Sequence, residues 1–193
     1  MSEPRAVTRE LGRFIAESRF EALPSAVRHE GRRAFVNWIG CVFGGCRTPA
    51  VEHALPLLDE FSGPREATAI VKGKKLDIFT AAFVNSMSNA SRSYNDTHLR
   101  TVAHPTAPVA AALLALAEQR MQVSGADFLH ALILGIEVQC RVGNILMTPP
   151  ARAHFSLSMI GLAGGIGAAA AAARLLGLNE QRCMYAIGLA AAQ

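Results

Sequence analysis

The run from Phe155 to Ala173 carries no charge over 19 residues. A stretch of that length either crosses a bilayer or lies buried in a protein interior. Composition decides between the two. The run is rich in alanine, with four glycines and two serines, so its transfer into hydrocarbon is weakly favourable. Gly161 and Gly165 form a G-x-x-x-G, a spacing that lets helix backbones approach closely. Arg152 and His154 precede the run and Arg174 follows it. The reading is a buried helix in a helical core, with no membrane function. Hydrophobic residues make up 51% of the 193-residue chain and aromatics only 6%, so small side chains carry much of the packing. That favours an all-α fold.

Apolar periodicity divides the chain into further helices. Leu11, Phe14 and Ile15, extending toward Ala22, form a first short stripe. Pro24-Ser25 opens a helix to Gly44, with Val27, Ala34, Phe35, Trp38, Ile39 and Val42 at helical spacing. A third runs from Pro49 to about Phe61, where Ser62-Gly63-Pro64 breaks it. Leu76 to about Ser91 is helical again, with Phe79, Phe83 and Met87 on one face. Val109 to Gln119 reads as a buried helix. Ser124-Gly-Ala-Asp127 is a capping box for the next helix, which carries Leu129, Leu132, Ile133, Ile136 and Cys140. "LMTPPARAH" reads as a loop, and helices from Ser156 to Leu176 and from Asn179 onward close the sequence around Gly177. At most one short β-like segment is expected, near residues 67–72.

Several function classes drop out. The net charge is +4, but the basic residues are scattered and no recognition motif accompanies them, so no nucleic-acid partner is expected. Cys41, Cys46, Cys140 and Cys183 contain no C-x-x-C, and Met1 leads into a polar, charged start. Reduced thiols and a cytoplasmic location are the expectation. "GLAGGIG" follows no strand and lacks dinucleotide-fingerprint spacing. No G-x-S-x-G is present. The spacing of Asp96, His98 and His104 matches no metalloenzyme pattern, so no metal is assigned.

The chemistry concentrates in "SYNDTHLRTVAHPTAPV", residues 93–109. Pro105 suits the first turn of a helix. His104 then stands at that helix's mouth, and the N–H groups of Thr106 and Ala107 offer a place for a carboxylate. Asp96 and Thr97 lie on the loop just upstream. Asp, Thr and His beside a helix N-terminus could bind a carboxylate and move a proton next to it. The competing reading is structural: Asp96 or Thr97 caps a turn, and His104 is a solvated residue ahead of a helix. Arg100 could clamp a second carboxylate or be a solvated charge.

The chain resembles the MmgE/PrpD family, which includes 2-methylcitrate dehydratase and cis-aconitate decarboxylase. The resemblance rests on "AAFVNSMSNASRSYNDTHLRTVAHPTAPVAAALLALAE", "SGADFLHALILGIEVQCRVG" and "GGIGAAAAAARLLGLNEQRCMYAIGLAAAQ", in that order. It implies a helical domain beside a smaller α+β domain, a homodimer, no metal or organic cofactor, and a small polycarboxylate substrate. It places Asn95, Asp96, Thr97, His104 and Pro105 on the family's active-site loop. Asp96, Thr97 and His104 are then expected to be catalytic, with Asp96 orienting His104 or holding it charged, and Asn95, Arg100 and His154 are expected to contact substrate. Asn95-Asp96-Thr97 resembles the 2-methylcitrate dehydratase form of the motif, whereas "HPTAPV" is closer to other branches. Decarboxylase members carry an aspartate two residues ahead of the motif, where this chain has Ser93. A family histidine ahead of the alanine-rich helix falls on Ser158 here, with His154 four residues earlier. His154 either substitutes through a shifted loop or is a surface residue.

"YAIGLAAAQ" stops while still apolar. Residues 1–193 are therefore expected to be a single helical domain, the N-terminal part of a longer two-domain enzyme, cut within its last helix and inactive alone. The expected activity is cofactor-independent dehydration of a 2-methylcitrate-like hydroxy acid by general acid/base catalysis. The rivals are a non-catalytic helical association module and an epimerase or isomerase on the same scaffold.

Overall fold

A computed structural model describes residues 6–70, 73–147 and 158–193. Among them are eight α-helices: α1 Val7–Glu17, α2 Ser25–Gly45, α3 Pro49–Glu60, α4 Ile78–Ala90, α5 Thr106–Arg120, α6 Gly125–Met147, α7 Met159–Leu175 and α8 Glu180–Ala191. The all-α class is as expected, with one small sheet added. The strand-like run does not form a single strand. It doubles back as an antiparallel hairpin of β1 Ala67–Ala69 and β2 Lys74–Leu76, helped by Gly73 at φ +60°, a conformation glycine adopts freely. Glu118 of α5 secures the hairpin, accepting from Thr68 N and Oγ1 at 2.6 and 2.8 Å and pairing with Lys75 Nζ at 2.8 Å.

Leu76 thus belongs to a strand, and α4 starts two residues later than expected. Asp77 is its N-cap, accepting from Phe79 N and Thr80 N, the contact that satisfies otherwise orphaned first-turn donors. Phe79, Phe83 and Met87 do share a face of α4. Phe79 and Phe83 point outward, 80% and 56% exposed, while Met87 packs half-buried against the core of Val51, Leu55 and Val84. The inward face carries Ala81, Val84, Asn85, Ser88 and Asn89, because α4 lies close against α2 and α5 and only small side chains fit between them. The capping box of α6 forms as read: Ser124 Oγ donates to Asp127 Oδ2 at 2.6 Å and accepts from Asp127 N at 3.1 Å.

The centre of the molecule is α5, α6 and α7. Val109, Leu113, Leu132 and Trp38 form one core, and Val138, Ala170, Ile15 and Ile187 another that docks α1 and α8. α6 and α7 touch nearly backbone to backbone. A Cβ on Gly135 would stand 2.7 Å from the Gly167 carbonyl oxygen and 2.6 Å from Val109 Cγ1, and one on Gly167 would stand 2.8 Å from the Gly135 carbonyl oxygen. The glycines of the G-x-x-x-G do not make this contact: Gly165 faces open space and Gly161 has only Ser158 near it. α6 is long and apolar enough to cross a membrane by length and composition, yet half of that stretch is packed inside the protein, as in a core helix. The loop "LMTPPARAH" and the start of the 155–173 run lie outside the described residues.

Two predictions follow from this packing. Gly135→Ala should destabilise the fold by about 1–3 kcal/mol, the usual cost of overpacking a filled contact, measured by urea unfolding, since backbone oxygen cannot move aside as a side chain can. The second concerns His130, fully buried on α6 with Nε2 2.9 Å from Ser18 Oγ. Burial, reinforced by Arg174, lowers its pKa below the ordinary 6.5. A histidine kept neutral by the fold binds its proton more readily when unfolded. Its contribution to stability is therefore complete above about pH 6.5 and is lost as pH falls from there toward the depressed value. Melting temperatures taken across pH 7 to 5 should fall more steeply for the native chain than for His130→Gln.

Candidate active site

The segment after α4 is a tight, closed loop. Ser93 has φ 55° and Val102 φ 51°, the left-handed region that a β-branched residue rarely occupies. His98 N donates to the Ala103 carbonyl at 2.8 Å and Thr101 N to the His98 carbonyl at 3.1 Å. His98 Nδ1 lies 2.8 Å from Thr101 Oγ1. Thr101 is buried against α6 at Gly143, where an added Cβ would meet Thr101 Cγ2 at 3.1 Å. This closure folds Asp96 and Thr97 back onto His104. His104 Nδ1 stands 2.8 Å from the Asp96 carbonyl oxygen and 3.2 Å from Thr97 Oγ1. A carbonyl only accepts, so Nδ1 carries the hydrogen and Nε2 is the acceptor of the neutral ring. Nε2 has no partner among the described residues.

The helix N-terminus is arranged differently from expectation. Its donors do not wait for an outside anion. Asp96 Oδ2 accepts from Thr106 Oγ1 at 2.7 Å and from Thr106 N at 3.3 Å. The carboxylate that this helix end attracts is the chain's own. Burial raises the Asp96 pKa above the ordinary carboxylate value, against the opposing pull of the Thr106 hydroxyl, the Thr106 N–H and His104. Asp96 contacts the His104 ring through its main-chain carbonyl and not through its carboxylate.

Asp96 and Thr106 also wall a cleft of about 500 Å³ between α2 and α6, shared with Glu30, Arg33, Asn37, Ile136 and Glu137. Arg33 is paired with Glu30 at 2.7 Å, and Glu137 with Arg141 at 2.6 Å. Thr97, Arg100 and His104 do not line it. Sequence reasoning missed this cleft, because periodicity shows which face of α2 or α6 is apolar but not which helix it will face. Asn95 is buried with Oδ1 unpartnered. Arg100 is exposed in the turn and forms no ion pair among the described residues. His154 lies outside the described residues. Ser158 is the N-cap of α7, accepting from Gly161 N, so it has a structural task of its own. No group of three or more His, Cys, Asp or Glu that could hold a metal occurs among the described residues.

The MmgE/PrpD N-terminal domain model matches residues 9–193. This chain belongs to the MmgE/PrpD family. Curated relatives include the cis-aconitate decarboxylase-like protein oryM of Aspergillus oryzae, 28% identical over 97% of this chain and 40% of that protein. The cis-aconitate decarboxylase of Aspergillus terreus is 27% identical over 97% of this chain and 39% of its own length. That of Mus musculus is 30% identical over 96% and 38%. The chain spans about two-fifths of the length of these MmgE/PrpD relatives.

The four cysteines are free. Burial pushes the Cys140 thiol up to about 11, with Glu137 and Asp96 adding to it. Only the thiolate is nucleophilic. At pH 8, alkylation of Cys140 by iodoacetamide should therefore run about 100-fold slower than that of a thiol titrating at its ordinary 9.0, as peptide mass mapping over time will show.

Proposed function

We propose that this chain supplies the helical part of a lyase site that acts beside a carboxylate of a small polycarboxylic acid, with His104 as the proton-carrying group. The observation that carries this reading is the fixed imidazole: Nδ1–H engaged by the Asp96 carbonyl at 2.8 Å, and Nε2 open. A neutral Nε2 can take a proton from the carbon α to a carboxylate. The C–H electron pair then forms the C=C bond while the C–O bond to the leaving hydroxyl breaks, and that hydroxyl leaves as water once an acid protonates it. His104 fills one of these two proton-transfer roles. The Thr97 hydroxyl lies beside the ring and can donate to a substrate carboxylate, and Arg100 at the loop tip, without an ion pair among the described residues, offers its cation to a second one. In the α2–α6 cleft Arg33 is already paired with Glu30 and Arg141 with Glu137, and the Asp96 carboxylate is engaged by Thr106, so the cleft offers an incoming anion no uncommitted cation among the described residues. That supports substrate approach on the side of Thr97, Arg100 and His104.

The preferred reaction is dehydration of a 2-methylcitrate-like hydroxy acid, supported by the Asn95-Asp96-Thr97 form of the motif and by Ser93 in place of the decarboxylases' aspartate. The second reading is decarboxylation, favoured by the relatives named as cis-aconitate decarboxylases. The proposal extends to a cytoplasmic homodimer without metal or organic cofactor, with the exposed Phe79 and Phe83 supplying apolar surface for assembly. Assay of the full-length protein on 2-methylcitrate and on cis-aconitate separates the two reactions. His104→Ala should lower kcat by about 10²- to 10⁴-fold, the usual worth of a positioned acid or base, with an unchanged melting temperature. Near-normal kcat in that variant would sink the assignment.

A further inference from the structure

Helix α5 begins without a cap of its own. Its N-cap is Pro105, and no side chain there accepts from the first turn, although first-turn N–H groups need partners. Thr106, the next residue, is fully buried, and a buried hydroxyl left without a partner is costly. One atom answers both needs, since Asp96 Oδ2 takes the hydroxyl at 2.7 Å and the N–H at 3.3 Å. The same residue's carbonyl then accepts from His104 Nδ1. Asp96 is held by its side chain and holds His104 by its main chain.

Two oxygens compete for His104 Nδ1. The Asp96 carbonyl can only accept, so it selects the ring form with hydrogen on Nδ1. The Thr97 hydroxyl, 3.2 Å away, can equally donate, which would select hydrogen on Nε2 and leave no base facing outward. While the Asp96 carbonyl stays within reach the hydrogen is held on Nδ1, and once it withdraws the Thr97 hydroxyl alone faces Nδ1 and no longer fixes it there. We propose that Thr106 is a positioning residue for His104: its buried hydroxyl anchors Asp96 and thereby keeps hydrogen on Nδ1 and Nε2 open. This rests on the reading of His104 as the proton carrier, and the test separates the two.

The experiment is ¹⁵N NMR of the His104 ring nitrogens in the native chain, Thr106→Val and Thr106→Ser, at a pH where the ring is neutral. The native chain should show hydrogen on Nδ1. Thr106→Val, of nearly the same shape without the hydroxyl, should move the ring to hydrogen on Nε2, and Thr106→Ser should restore the native pattern. A Thr106→Val protein that keeps hydrogen on Nδ1, or a Thr106→Ser protein that loses it, overturns the proposal. Should Thr106→Val not fold, the double variant Asp96→Ala/Thr106→Val leaves neither a carboxylate without its donor nor a hydroxyl without its acceptor, and it is read the same way. In the full-length protein Thr106→Val should lower kcat about tenfold or more with little change in KM, as misplacement of a catalytic group does. A tautomer change with undiminished turnover would uphold the positioning and sink the catalytic reading of His104.

Discussion

Gly135 and Gly167 let α6 and α7 lie against each other with only backbone atoms and small side chains between them. The position of α5 follows, since Val109 closes the same contact and Val109, Ala110 and Leu113 are fully buried. An N-terminus of α5 placed in this way gives the 91–105 loop its anchor. Thr101 seats on α6 beside Gly143, Asp96 binds the first turn of α5, and His104 is set between them. A side chain added at the α6–α7 contact would push on a backbone oxygen, and the shift would travel to the site through helices too well packed to absorb it.

The site itself is a compromise between burial and charge. Asp96 lies in a half-buried position where desolvation raises its pKa, and donors from Thr106 together with the neighbouring His104 offset part of that. The arrangement uses the helix end, which would otherwise draw an external anion, to hold a loop. Other polar groups of the loop face outward. Thr97 and Arg100 are exposed, whereas Asn95 is buried with an unpartnered oxygen. The loop is thereby tied to the helical scaffold at both α5 and α6.

Much of this was legible in the residues. The boundaries of α2, α3 and α6 follow from Pro24-Ser25, Pro49 and the Ser124–Asp127 box, because such punctuation acts through local hydrogen bonds that the chain makes with itself. The crowding of Asp96, Thr97 and His104 was equally visible and the structure does bring the three together. The hairpin was less so, since it depends on Glu118, more than 40 residues away, to hold Thr68 and Lys75. The outward turn of Phe79 and Phe83 also escaped periodicity. A period shows that residues share a face, and packing distance decides which face is inside.

The sequence by itself determined the helical class, the places where helices start and stop, the absence of spacing for a metal or nucleotide motif, and the loop on which Asp96, Thr97 and His104 crowd together. These depend on local propensity, capping and composition. Only the tertiary structure decided that the G-x-x-x-G faces open space while Gly135 and Gly167 make the close contact. It alone showed that the end of α5 is filled by Asp96, that the Asp96 carbonyl and not its carboxylate contacts His104, and that Thr106 stands behind both. The physical reason is that hydrogen bonds and close contacts between distant segments are set by the three-dimensional arrangement of helices, which no spacing along the chain encodes.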